Sequence, residues 1–245
     1  MRPGALVLLL VLTGCGGDAE PGEGGRPELT VLAASSLTDV YQELAVSFEE
    51  EHDAEVTFSF GSSTDLAAQA AEGAPGDVLS TADGESMQVA EDAGATDEVV
   101  ELAGNVMVIV TPDGNPADIE GIDDLEGSTW VRCADEVPCG RVALSVLEDN
   151  GVTAEPASLE DDVRATLDKV VAGEADAGLV YATDAVAAGD DVETVEIPGV
   201  EDRLTTYYAA SLAQSADPDL ARAWLDLVTS ADGQAALEDA GFTLP

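Results

Sequence analysis

The stretch "LTVLAASSLTDVYQELAVSF", residues 29–48, changes from one structural period to another at a pair of serines. Leu29, Val31 and Leu32 lead into Ala33-Ala34-Ser35-Ser36, a short apolar run of the kind that forms a buried strand. Beyond the serines, Leu37, Val40, Tyr41, Leu44, Ala45 and Phe48 recur at helical spacing. Ser36 stands three residues before Asp39, a capping-box pattern that predicts a helix start there. A strand that feeds a helix through a short joint is the repeating unit of α/β folds. The same joint exposes backbone N–H groups that the helix itself cannot satisfy.

The unit recurs along the chain. The spacing predicts a strand over 29–34 and a helix over 37–50, then a strand over 55–60, the joint Gly61-Ser62-Ser63-Thr64 and a helix over 65–72. "GAPGD" (73–77) turns the chain into a strand over 78–82, followed by a helix over 84–93 and a strand over 105–111. A second series starts with a short helix over 122–127 and a strand over 128–133. Pro138 opens a helix that stops at Asn150-Gly151. Ser158 and Asp161 predict a further capping box before Val163, Leu167, Val170 and Val171. A strand within 175–185 leads to a turn and short helix; a strand over 192–197, the segment 203–212 and a helix over 218–229 complete the chain. No repeat of fixed period is visible. Such alternation predicts an α/β architecture with mainly parallel pairing.

At 245 residues and 45% hydrophobic content, the chain can build one large domain or two medium ones. Its 51 acidic and 8 basic residues give a formal charge of −43, which excludes ordinary nucleic-acid binding through a basic patch. The acids are spread through amphipathic segments, so the chain reads as globular, with a surface suited to salty surroundings. Arg2 and the apolar run from Ala5 to Leu12 are too short to span a membrane but fit a signal peptide, residues 1–14. Leu12-Thr13-Gly14-Cys15 resembles the lipobox of bacterial lipoproteins. That resemblance implies export and lipidation of Cys15, anchoring the protein to the outer face of the cytoplasmic membrane. "GGDAEPGEGGRPE" (16–28) is rich in Gly, Pro and charge, so residues 15–28 read as the lipidated cysteine and a flexible tether. In an exported chain the close pair Cys133 and Cys139 is expected to form a disulfide, worth about 2 kcal/mol through loop-closure entropy. A metal site there lacks further ligands, because His52 is the only histidine.

Four strand-to-helix joints carry possible chemistry: Ser35-Ser36, Ser62-Ser63, Pro138-Cys139-Gly140 and the start of the helix holding Val163. Tyr181 ends a strand in "GLVYATD". Ligands of open α/β sheets bind beyond the carboxyl ends of strands. Helix N-termini there offer N–H donors and partial positive charge, and Ser and Tyr hydroxyls add neutral donors. A dianion can be held this way without a buried Lys or Arg. Taken singly, a serine before a helix is an N-cap worth about 1 kcal/mol, and Tyr181 is a packed aromatic.

Together, "VLAASSLTDV", "FGSSTDLAAQ", "GAPGDVLSTAD", "VPCGRVAL" and "DDVRATLDKVVAGEADAGLVYATDA" resemble the successive signature segments of the molybdate-binding proteins that feed ABC importers. They occur in family order and span nearly all of residues 29–245. The resemblance implies a type II periplasmic-binding-protein fold, two α/β lobes with a ligand cleft between them. Lobe 1 would comprise residues 29–106 plus 208–245 and lobe 2 residues 107–207, with crossings near Val106–Val110 and Leu204–Tyr208. Carried over by motif, Ser36 and Ser63 match the hydroxyl ligands of the first lobe. Cys139 and Val163 match backbone N–H donors of the second, and Tyr181 matches the tyrosine that completes the oxyanion cage. Cys139 departs from the small residue, often alanine, usual at its position. Ser35 and Ser62 leave a one-residue shift open at each serine pair.

The family further implies a monomer that binds molybdate or tungstate, has no cofactor and no protein-ligated cation, and delivers its anion to a membrane permease. Sulfate or phosphate remains an alternative, since the same donor types serve. Ferric iron would want clustered ligands, and "TTYYAA" (205–210) holds the only tyrosine pair. A serine hydrolase is a distant alternative: no G-x-S-x-G surrounds Ser36 or Ser63, His52 sits in "EEEHDAE", and Lys169 is mid-helix. The expectation is a binding protein rather than an enzyme.

Overall fold

Val31 and Ala33 lose all contact with solvent because the strand that carries them, β1 (Glu28–Ala34), lies inside a sheet covered on both faces. The computed structural model describes residues 25–245; the expected signal peptide, Cys15 and most of the expected tether lie outside the described residues. β1 pairs in parallel with β2 (Glu55–Gly61) on one side and with β3 (Val78–Thr81) on the other. β10 (Thr205–Leu212) runs antiparallel to β3 and to the edge strand β4 (Thr96–Asn105), giving the order β2-β1-β3-β10-β4. The second sheet has the same plan. Its strands are β5 (Met107–Pro112), β6 (Trp130–Cys133), β7 (Ser158–Glu160), β8 (Ala177–Tyr181) and β9 (Val192–Val195), ordered β7-β6-β8-β5-β9. β6 is parallel to β7 and β8, while β5 is antiparallel to β8 and β9. In both sheets the first parallel strand lies between the second and third, so strand order reverses at β1 and at β6. Such switch points open crevices at the carboxyl ends of strands.

The helices are α1 (Thr38–His52), α2 (Ser63–Ala71), α3 (Gly84–Asp92), α4 (Pro138–Asp149), α5 (Val163–Val171), α6 (Ala182–Ala188), α7 (Pro218–Thr229) and α8 (Ala231–Asp239). Trp224 of α7 is buried edge-on against Tyr41 and Phe48 of α1, with ring centroids 5.3 and 5.2 Å apart, and fastens the C-terminal helices onto the first sheet. Only Val106 separates β4 in the first sheet from β5 in the second. The chain returns through residues 196–204.

Several local expectations are corrected. Ser36 does not cap α1: residues Ser35–Leu37 form a separate 3-10 turn, and Ser36 Oγ lies 2.8 Å from the Tyr207 hydroxyl instead. Ser158 does not cap α5 either. It opens the short strand β7, and Asp162 is the cap. β4 is hidden in sequence because it is an edge strand on which Asp97, Glu98 and Glu101 are exposed, so apolar alternation is lost. α8 is masked by its weak apolar contrast and by Gly233; Ser230 starts it by accepting from Gly233 N–H at 3.0 Å.

Candidate functional site

The carboxyl ends of both sets of parallel strands converge on one cavity. Ala34 ends β1 and Ser35 and Ser36 follow it, Gly61 ends β2 and Ser62 and Ser63 follow it, and Ala82 follows β3. From the second sheet come Val137, Pro138 and Cys139 at α4, Asp162 and Val163 at α5, and Tyr181 at the end of β8. The space open to the centres of water-sized spheres is about 20 Å³. That is about the room that one small tetrahedral ion needs.

The donors around it are left unspent. The Ser35–Leu37 turn, α2 and α4 all start without a side-chain hydrogen bond to their first-turn N–H groups. Helices α3, α7 and α8, which start elsewhere, are capped by Asp83, Asp217 and Ser230. At α5 the cap is partial. Asp162 Oδ1 accepts from the N–H groups of Arg164 and Ala165 at 2.8 and 3.0 Å, leaving the N–H of Val163. Uncapped first turns carry the positive end of the helix dipole, so these starts are free to donate to a negatively charged group.

The hydroxyls repeat this pattern. Tyr181 is 1% exposed, and its hydroxyl has no hydrogen-bond partner among the described residues; Ser62 Oγ is likewise buried and unpartnered. An unpartnered buried polar group costs about 1–3 kcal/mol, and here two such hydroxyls belong to residues that line the same cavity. Burial, reinforced by Tyr207, Asp83 and Asp184 nearby, pushes the Tyr181 hydroxyl well above the ordinary tyrosine range. It therefore stays a neutral O–H donor. Ser63 Oγ accepts from Ala82 N–H at 2.9 Å, which leaves its own proton to donate.

No Lys or Arg lines the cavity, but two of the eight basic residues flank it. Arg141 of α4 reaches Asp83 Oδ2 at 2.5 Å through Nη2 and 3.0 Å through Nε, and Ser86 Oγ at 3.2 Å. Arg164 of α5 pairs with Asp39 of α1 and, at 2.9 Å, with Asp184 Oδ1 of α6. Both arginines leave the second-sheet half to meet acids beside the first, and Thr64 Oγ1 adds a bond to Glu136 O at 2.9 Å. Asp184 is wholly buried, and that burial pushes its carboxyl up to about 7 against the pull of Arg164.

Cys133 and Cys139 form a disulfide with Cα atoms 5.7 Å apart, tying the end of β6 to the first turn of α4. The Cys133 sulfur contacts Thr166 Oγ1 of α5 at 3.5 Å, so the bridge lies between the two helices that present N–H groups. Gly140 allows this approach: a Cβ there would sit 1.7 Å from the carbonyl oxygen of Ala134.

Ser36, Ser63, Cys139, Val163 and Tyr181 are thus brought together around one cavity. The shift left open at the second serine pair is met in part, since Ser62 as well as Ser63 lines the cavity and carries the unpartnered hydroxyl, whereas the Asp162 cap is not legible in the sequence, where Ser158 has the capping pattern. Sequence reasoning also missed the contact of Tyr207 with Ser36. The "TTYYAA" pair held a signal, because strand alternation sends only one of two adjacent tyrosines inward. The hydrolase arrangement is not assembled. His52 stands at the far end of α1 from Ser36, about 20 Å along the helix axis, and Lys169 is paired with Glu160 at 2.8 Å. No group of three His, Cys, Asp or Glu residues suited to a metal ion occurs among the described residues.

Residues 29–243 match the family described as bacterial extracellular solute-binding protein. The chain belongs to that family. This solute-binding protein is 34% identical over 249 residues to the molybdate-binding protein ModA of Mycobacterium tuberculosis, covering 98% of this chain and 95% of the relative. Its fold is that of the Azotobacter vinelandii periplasmic molybdate-binding protein, with a TM-score of 0.80 at 22% identity over 89% of this chain and 99% of the other. The sulfate-binding protein SubI from Mycobacterium tuberculosis is also alike, with a TM-score of 0.76 at 20% identity over 89% and 86% of the two chains. The expected periplasmic-binding-protein fold is therefore present, and the fold by itself serves more than one tetrahedral anion.

Proposed function

We propose that this solute-binding protein captures molybdate, and equally tungstate, outside the cytoplasm and delivers it to the membrane permease of an ABC importer. The observation that carries the reading is the buried, unpartnered hydroxyl of Tyr181, a residue that lines, together with uncapped helix starts, a cavity with room for one tetrahedral ion. In this reading Ser36 and Ser63 donate from one side, and Cys139 N–H, Val163 N–H and the Tyr181 hydroxyl from the other, with Ser62 as a further donor. Charge-assisted hydrogen bonds contribute roughly 1.5–3 kcal/mol each. Half a dozen, less desolvation and closure, reach the roughly −8 kcal/mol of micromolar binding or better.

In this reading the two sheets belong to two lobes that turn about Val106 and the 196–204 return; because β10 (Thr205–Leu212) is a strand of the first sheet, lobe 1 resumes at 205 rather than at the expected 208. Only closure brings both donor sets to the ion, so binding selects the closed form. The net charge of −43 opposes approach of a dianion, but near 1 M salt the screening length falls to about 3 Å and local donors prevail. Lipidation at Cys15 would hold the protein near its permease and raise its effective concentration there.

Calorimetric titration with molybdate, tungstate, sulfate and phosphate tests the assignment. Molybdate and tungstate are expected to bind tightly and alike. Sulfate, a smaller tetrahedron, leaves donors unpaired at roughly 1–3 kcal/mol each and is expected to bind orders of magnitude more weakly. Equal affinity for sulfate refutes the molybdate assignment. Replacing Cys15 with Ser is expected to release the protein from the membrane fraction, and continued retention refutes the anchor.

A further inference from the structure

Behind Ser36 runs a chain of buried polar side chains that the donor set does not use. Ser36 Oγ meets the Tyr207 hydroxyl at 2.8 Å. Asn105 Nδ2 lies 3.4 Å from that hydroxyl and 2.8 Å from Thr183 Oγ1. Asn105 Oδ1 accepts from Val106 N–H at 2.9 Å. All four side chains are buried.

The direction of these bonds follows from chemistry. A backbone N–H can only donate, so Val106 fixes which end of the Asn105 amide is oxygen, and the NH₂ end faces Tyr207 and Thr183. An amide NH₂ can only donate, so the Tyr207 oxygen accepts from Asn105; Ser36 Oγ is the acceptor within reach of the Tyr207 proton among the described residues, so the arrangement that pairs that proton has Tyr207 donating to Ser36. With that lone pair taken, the Ser36 proton is turned toward the cavity that Ser36 lines. The same logic holds at Ser63, where Ala82 N–H takes the lone pair. There the donor is backbone; at Ser36 it is a side chain that can be removed.

From this chain we infer that Tyr207, set by Asn105 at the crossing between the sheets, is a positioning residue that holds Ser36 as a donor to the bound oxyanion. Tyr207 also packs edge-on against Tyr181, with ring centroids 6.0 Å apart, so one side chain braces a hydroxyl donor from each half. Asn105 adds the link to Thr183, two residues past Tyr181. The polarity of the site is thereby set at the crossing strand Asn105–Val106, where the halves pivot.

The inference rests on the oxyanion reading, and a double-mutant cycle separates the two. Tyr207→Phe keeps the ring against Tyr181 and Phe242 and removes only the hydroxyl. In the otherwise wild-type protein it is expected to weaken molybdate binding about 5- to 10-fold, the worth of one lost net hydrogen bond. In a Ser36→Ala background the same change is expected to shift Kd by less than about 2-fold, because Tyr207 acts through Ser36. Asn105→Ala works on the chain from its other end and is expected to show the same dependence on Ser36. An unchanged Kd in Tyr207→Phe, or an equal loss with and without the Ser36 hydroxyl, overturns the inference. Failure of the wild-type protein to bind molybdate, tungstate, sulfate or phosphate overturns the oxyanion reading instead.

Discussion

Tyr181→Phe is expected to make the ligand-free protein more stable and the binding protein worse. The hydroxyl removed is buried and unpartnered, at a cost of about 1–3 kcal/mol. The cavity has room for a water that recovers part of this, so the gain is expected at the low end, about 1 kcal/mol. In a chain of this size that raises Tm by about 2–4 °C. Bound molybdate would lose one charge-assisted bond worth roughly 1.5–3 kcal/mol, a 10- to 150-fold weaker Kd. The two effects are read in one set of thermal melts. At molybdate 100-fold above the wild-type Kd, the wild-type protein gains about 2.7 kcal/mol, or about 5–10 °C. A variant weakened 100-fold gains about 0.4 kcal/mol at that concentration, a shift of about 1 °C. The melting curves should therefore cross on adding ligand. A wild-type ligand shift, or a ligand-free Tyr181→Phe protein that melts earlier than wild type, would falsify the reasoning.

Asp184 gives a pH dependence of defined sign. Its carboxyl is raised to about 7 in the folded protein by burial, opposed by Arg164 and by the N–H of Tyr181, with Asp39 across the cleft raising it further. The folded state therefore holds a proton that the unfolded state has lost, and stability falls as pH rises from about 4 through about 7, by up to a few kcal/mol. Denaturant titrations of Asp184→Asn are expected to lack that part of the slope; identical profiles for variant and wild type contradict it. Arg141→Gln removes the partly buried link to Asp83 across the cavity mouth and is expected to speed molybdate release about 10-fold with little change in association. Stopped-flow displacement measures this, and an unchanged off-rate refutes the linking role. The Cys133→Ser/Cys139→Ser double variant is expected to lose about 2 kcal/mol in urea unfolding, against a null result if the bridge constrains nothing.

Sequence by itself determined what depends on neighbours along the chain. The run 29–48 specified a buried strand followed by a helix because its apolar period changes at Ser35-Ser36. The same reading found most other strands, and the resemblance to molybdate-binding proteins, carried over motif by motif, named five of the residues that line the cavity. Local pattern failed where the deciding force came from far along the chain. Spacing alone read "NVMVIVT" as one strand over 105–111, and only the family resemblance set a crossing near Val106; β4 pairs with β10 and β5 with β8, so the run is divided between two sheets. Ser36 has the spacing of an N-cap, but a hydroxyl 171 positions away outcompetes the local backbone for it. Arg141 and Arg164 read as ordinary helix-surface cations until folding sets Asp83 and Asp39 opposite them. Spacing reports the free energy of local structure. Which hydroxyl is left without a partner, and which scarce cation bridges two acidic halves, depends on packing between elements far apart in sequence, and only the tertiary structure decides it.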